Sequence, residues 1–328
     1  MLKKRRLGIG WLTIGLLSLV SIFTSKSLGS TAFQPRATDL TLYYTASLSG
    51  NLDGCTCTKI RRAGLVKSAL FLRRLAWQND TVLVDAGDLL ENKPGDKLRA
   101  DYIFQAYRDL KYDAVGLGAN ELLNGVLEYQ VNCPIIASNL SISFSSGSPC
   151  SKGPVILTRG HYRIGIFAVI DPKFGSSAPL SELIAKKFQI TPIAETAAQM
   201  VQFLKACQVD LIILLYHGYY NNAIRLAQSV PGIDVMVLGH EERLIDLRKI
   251  SRTAIVSPGE EGNRVGILEL SLAGRQVTFI KNHFREFSYF KNPDDPEVRK
   301  MVDKYYATLS ERLQYSTLAP LATTPSVK

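Results

Sequence analysis

The sequence predicts an α/β domain built on two sheets, and three observations carry that expectation. Apolar, β-branched runs recur, among them Thr81-Val82-Leu83-Val84, Leu211-Ile212-Ile213-Leu214-Leu215 and Val235-Met236-Val237-Leu238, as in strands buried on both faces. Each runs into a glycine beside a carboxylate or a histidine: Asp85-Ala86-Gly87-Asp88, His217-Gly218 and Gly239-His240. Strand and helix patterns alternate from Asp39 onward, whereas beyond residue 253 strands succeed one another through short turns.

In chain order, Leu40 to Thr45 reads as a strand and Ile60 to Trp77 as an amphipathic helix with Arg61, Arg62, Lys67, Arg73 and Arg74 on its outer face. The Thr81 strand, a helix from Lys97 to Leu110, the Ala114 strand and a strand over Pro134–Ser138 follow. Residues 141–154 are rich in Ser, Gly and Pro and read as a surface excursion. Val155–Thr158 and Tyr162–Ile170, joined by Arg159-Gly160-His161, form a hairpin pattern. Helices over 193–206 and 222–228 lead into the Leu211 and Val235 strands. Strands over 254–257, 265–271 and 276–282 and a polar helix from Asp295 to about Gln314 complete the pattern. The expected organisation is an N-terminal segment (1–32), a domain (33–290), a C-terminal helix (291–315) and a loose tail (316–328).

The N-terminal segment carries Lys3-Lys4-Arg5-Arg6, then an uncharged, mostly apolar run from Leu7 to Phe23, then small and polar residues ending in Ser30-Thr31-Ala32. That is the pattern of a secretory signal cleaved after Ala32, and the run is also long enough for an uncleaved signal-anchor. Both place the remainder outside the cytoplasm, with membrane contact only through this segment. Of the net charge of +10, Lys3, Lys4, Arg5, Arg6 and Lys26 supply five. The rest is mildly basic and lacks a basic stripe with interleaved aromatics, so no nucleic-acid partner is expected. Five cysteines suit an oxidising compartment. Cys133 and Cys150 flank the Ser-rich loop and could close it, and Cys207 reads as an apolar filler.

The order of the strand-end motifs resembles the calcineurin-like metallophosphoesterases, and within them the N-terminal catalytic domain of secreted 5′-nucleotidases and UDP-sugar hydrolases. The resemblance runs from Asp39 to Phe287. It rests on the complete Asp-x-Gly-Asp at Asp85–Asp88, on Tyr216-His217 at a Ser-His position, and on Gly239-His240 at the start of a Gly-His-x-His motif. It implies a four-layer αββα sandwich of two mixed sheets flanked by helices, with two metal ions bridged by Asp88. Secreted 5′-nucleotidases carry a second domain beyond this region that grips the nucleobase, and their nucleotide specificity is not expected to carry over from the resemblance.

Several positions that the resemblance marks as metal ligands are altered. Ser47 and Ser49 stand where the first motif has an aspartate and a histidine, Ala119 stands for a ligating asparagine, and Glu242 for the second histidine of the last motif. Asn120 occupies the position of a catalytic histidine. Asp88, His217 and His240 remain as three ligands suited to one zinc or manganese ion, and a dinuclear centre is not expected. The other reading of the three is that they are hydrogen-bonded remnants at the sheet rim. Asp85 reads as a turn-bracing carboxylate, and Tyr219 and Tyr220 are candidates for the cleft wall. Some bacterial relatives carry a Gly-x-Leu-x-x-Cys-x-Cys segment similar to Gly50–Cys57, so Cys55 and Cys57 are candidates for thiol exchange, soft-metal binding or a structural disulfide.

These residues predict an exported, catalytically impaired relative that binds a phosphate-containing small molecule or a protein partner in the old cleft. A single-metal phosphoester hydrolase and a thiol-dependent role are the alternatives.

Overall fold

The computed structural model describes residues 39–55, 62–75, 78–93, 95–126, 133–141, 150–151, 153–172, 188–241, 243–260 and 262–318. They belong to one compact unit, Ala37–Lys328. The expected signal segment, Cys57 and Glu242 lie outside the described residues.

The first sheet has the order β15-β14-β1-β2-β3-β4-β6, with β1 at Leu40–Thr45, β2 at Thr81–Asp85, β3 at Ala114–Gly116, β4 at Ile135–Ile136, β6 at Cys150–Ser151, β14 at Arg264–Ala273 and β15 at Gln276–Glu286. The second has the order β12-β13-β11-β10-β8-β7, with β7 at Val155–Arg159, β8 at Tyr162–Ile170, β10 at Leu211–His217, β11 at Val235–Gly239, β12 at Leu244–Ile250 and β13 at Thr253–Pro258. A small pair, β5 (Leu140–Ser141) with β9 (Gln189–Ile190), lies beside them. Both large sheets are mixed: β1–β2–β3 and β8–β10–β11 run parallel, whereas β14–β15 and β7–β8 are antiparallel hairpins.

Period-two alternation sorts the strand side chains into three apolar layers. Leu40, Leu42, Val82, Val84, Ile213, Leu215, Val235 and Val237 pack between the two sheets. Leu83 and Val115 face α1 (Leu65–Leu75), α2 (Lys97–Asp109) and the terminal helix at Pro296–Leu318. Ile212, Leu214, Met236 and Leu238 face the helices at Ile193–Ala206 and Tyr220–Ser229. Three apolar seams between four layers make the αββα sandwich. The short helix α3 (Ala119–Leu123) makes α4, α5 and α6 of the helices at 193–206, 220–229 and 296–318.

The structure departs from the sequence expectations at several points, beyond the short elements α3, β5, β6 and β9. Strand β12 was not foreseen, because Asp246, Arg248 and Lys249 deny it a continuous apolar run, as is usual for a sheet edge. The first helix starts at Leu65 rather than Ile60: Gly64 has φ 73°, and Cys55 and Arg62 pair as an isolated bridge. Helix α6 continues to Leu318, past the expected boundary at 315. The bridge expected between Cys133 and Cys150 is not formed, and Cys133 is a buried free thiol. Cys150 lies opposite Ile135 across β4–β6, so it is two residues out of register with Cys133. A diagonal of about 7–8 Å is too long for a disulfide without backbone movement.

Candidate metal centre

The carboxyl ends of β2, β10 and β11 converge on one point. After β2 the chain turns through Gly87 (φ 93°) into Asp88, which is itself left-handed (φ 59°). A side chain at Gly87 would put its Cβ 2.8 Å from the Gly118 amide nitrogen, so the loops after β2 and β3 can touch only through glycine. At the end of β11 a Cβ on Gly239 would lie 2.0 Å from the Ala86 carbonyl oxygen. That close approach of the two sheets brings His240 (φ 65°) beside Asp88.

The three side chains form a tight group, with one ligand atom from each lying within 4.8 Å of the others. Asp88 Oδ2 is 3.4 Å from His217 Nε2 and 3.3 Å from His240 Nδ1. Two ligands on a tetrahedral zinc, each about 2.0–2.1 Å from the metal, stand about 3.4 Å apart. The described residues therefore fit one ion. They do so with a competitor, since the Ala119 amide donates to His217 Nε2 at 3.1 Å and holds its lone pair. With Nε2 accepting, the proton sits on Nδ1, which faces the Ala86 carbonyl oxygen at 3.2 Å. Burial holds His217 below the usual imidazole range against the pull of Asp88. Burial pushes Asp88 up, but His217, His240 and the Asn120 amide, which donates to Oδ1 at 2.8 Å, outweigh it and hold the carboxyl low.

The same residues do not fit a second ion. Ser47 and Ser49 keep left-handed backbones (φ 50° and 52°) and are laced to the Asp88 loop by Ser47 N–H to Gly87 O (2.8 Å) and Ser49 N–H to Asp88 O (2.9 Å). Their side chains are neutral hydroxyls, poor ligands for a divalent cation. Ser47 Oγ is buried with no hydrogen-bond partner among the described residues, and Ser49 Oγ leans 3.4 Å from Ser47 O. Asn120 is buried, and its side-chain amide donates to the Leu90 carbonyl at 2.8 Å.

Asp85 is fully buried beneath the site. It accepts from Thr45 Oγ1 (2.6 Å), Tyr107 OH (3.0 Å) and the Gly87 amide (2.8 Å), yet burial pushes its carboxyl up to about 6. Sequence reasoning gave no role to Glu121, although its position three residues into a helix start, after Gly118, was the available signal. Its buried carboxylate accepts the Asp88 (3.0 Å), Leu90 (3.0 Å) and Gly118 (2.9 Å) amides and so braces both loops. Burial, and then the charge of Asp88, push it up to about 8.

At the mouth, Tyr219 is 41 % exposed and its ring stands edge-on to His240 at 5.3 Å. The Tyr220 amide is capped by Glu241 Oε2 at 3.0 Å. Cys55 is half of a disulfide, and Cys133 and Cys207 are free thiols.

No family model matches the chain. The 2′,3′-cyclic-nucleotide 2′-phosphodiesterase/3′-nucleotidase of Salmonella typhimurium is 25 % identical over 303 residues, covering 75 % of this chain and 46 % of its own length. A 5′-nucleotidase precursor of Thermus thermophilus superposes with a TM-score of 0.69 at 20 % identity, covering 84 % of this chain and 60 % of that one. The calcineurin-like phosphoesterase YfkN of Bacillus subtilis gives 0.65 at 19 %, covering 84 % of this chain and 99 % of that one. The chain spans about half the length of the curated relatives it matches. Fold, motif order and sequence similarity agree in likening the chain to the 5′-nucleotidases and calcineurin-like phosphoesterases.

Proposed function

We propose that the chain is an exported, catalytically impaired relative of the nucleotidases that binds an anionic small molecule or a protein partner in the former catalytic cleft. One observation carries this reading: the groups that would serve metals are satisfied by the protein itself. Ala119 N–H holds His217 Nε2, Asn120 N–H holds Asp88 Oδ1, and the Asn120 side chain is committed to Leu90 O. A two-metal phosphoesterase needs both cations to make hydroxide and to clamp the attacking and leaving oxygens. Serines at positions 47 and 49 offer the second cation two neutral hydroxyls where the resemblance has an aspartate and a histidine. Export is supported by the basic, then apolar, order of residues 3–23. Among the described residues, no helix is long and apolar enough to cross a membrane.

The spacing of Asp88, His217 and His240 supports a second reading, a hydrolase of phosphate esters with one zinc or manganese ion. Such an ion would polarise a phosphoryl oxygen or acidify a bound water. In that case Asp88 and the two histidines would hold it, and the Nδ1–H contact to Ala86 would orient His217. The disulfide at Cys55 leaves a thiol-dependent role open only after reduction.

Metal analysis after incubation with Zn²⁺ or Mn²⁺, with phosphomonoester and phosphodiester assays, separates the readings. The impaired relative retains no stoichiometric metal and turns over neither ester. Metal-dependent turnover that disappears in Asp88→Asn or His217→Ala would replace it with the single-metal hydrolase.

A further inference from the structure

At the opposite end of the sandwich, where β2 begins, lies a cavity of about 500 Å³. The length of β2 and its turn, about 20 Å, separates it from Asp88. Its lining includes Arg159, Lys111, Asp113, Thr158, Gln78 and Asn79. We propose that this cavity binds a small phosphate-bearing anion at a site independent of the former catalytic cleft.

The balance of donors and charge supports the assignment. Arg159 reaches from the end of β7 across to the first sheet, where its Nε donates to Thr81 O at 2.7 Å and its Nη2 pairs with Asp113. Nη1 donates to Thr158 O at 3.1 Å. Those three bonds fix the guanidinium plane and leave one N–H on each terminal nitrogen. Among the described residues Asp113 is the sole acid on the lining, and it is already matched by Arg159 and by the Leu83 amide at 2.9 Å. Lys111 is therefore an unbalanced charge, exposed and without a hydrogen-bond or ion-pair partner among the described residues. It also has φ 62°, one residue past the C-cap of α2, where glycine or asparagine would be unstrained. The side-chain amides of Gln78 and Asn79 add further donors.

A cavity wall with fixed guanidinium, free ammonium and amide donors, and one neutralised carboxylate, suits a ligand with several anionic oxygens. Its volume exceeds a lone phosphate and falls in the range of small-molecule sites, which points to a phosphate ester.

Backbone amide NMR of the full chain, titrated with inorganic phosphate, glycerol 3-phosphate and succinate, tests the assignment. Glycerol 3-phosphate should give saturable shifts at Lys111 and Gly160 that persist in His217→Ala. Lys111→Glu should weaken the binding at least tenfold. Lys111→Gly, which suits the left-handed backbone, should lose binding while unfolding at the same temperature or higher, so that loss of charge is read apart from loss of fold. The assignment is overturned if shifts centre on Asp88 and Asn120, if succinate binds equally well, or if no saturation appears by about 10 mM, a level weaker than any useful small-molecule site.

Discussion

The two halves of the cleft make an instructive contrast. The half contributed by the ends of β2, β10 and β11 brings three candidate ligands, Asp88, His217 and His240, into one group. The half contributed by the end of β1 offers only the backbone path: Ser47 and Ser49 hold left-handed conformations and are laced to Gly87 and Asp88, but their neutral hydroxyls do not suit a cation. The difference teaches that the strand-end geometry is a property of the packed sheets. Hydrogen bonds between loops and glycine-only contacts enforce it whatever the side chains can do chemically.

Four substitutions test that separation. The largest effect is expected from Gly239→Ala in the intact half. Its Cβ has no room against the Ala86 carbonyl, and backbone cannot yield as a side chain can, so a loss of about 3 kcal/mol or failure to fold follows. Equilibrium urea unfolding checks it. A loss under about 0.5 kcal/mol would mean that the sheets separate freely and that the backbone path is not enforced.

Glu121→Gln comes next. One amide oxygen cannot replace two carboxylate oxygens that accept three main-chain amides, and the side-chain NH₂ would face an N–H donor. A loss of about 2 kcal/mol is expected, shared by both halves because the brace ties their loops together.

Asp234→Asn probes the other end of β11, away from the cleft. Burial raises the Asp234 carboxyl from 3.8 to about 6, so the folded state holds this proton more tightly than the unfolded chain. Its contribution is complete below pH 3.8 and is lost as pH rises through 6. The asparagine variant, still able to accept the Ile212 amide, should flatten that decline and gain about 1 kcal/mol at pH 7 relative to the parent. Thermal melts at pH 4 and pH 7 read the difference, and an unchanged slope would refute the assignment.

Ser47→Gly is the smallest. It removes an unpartnered buried hydroxyl and suits φ 50°, so a gain of about 0.5–1 kcal/mol is expected. A loss of stability would show that the hydroxyl has a role in the folded protein and would weaken the contrast between the halves.

Much of the architecture is legible in the residues because burial and periodicity are local. The runs at Val82, Leu211 and Val235 are apolar since both faces of each strand are covered, the Leu40 run alternates buried with half-buried residues, and the structure places strands on all four. Strand β12 escaped because one of its sides is solvated and charged, leaving no such pattern. For the cleft, the motif order picks out Asp88, His217 and His240, but what those groups touch is set by contacts 98 and 131 residues apart, Ala119 with His217 and Ala86 with His217.

The sequence by itself determined the layer pattern and the strand ends that carry Asp88, His217 and His240, because these depend on side-chain type and local spacing. The tertiary structure alone decided that the surviving groups meet at 3.3 and 3.4 Å, that main-chain amides hold two of them, and that Glu121 braces the loops. Those facts arise where separate strands converge, and no single segment of chain contains them.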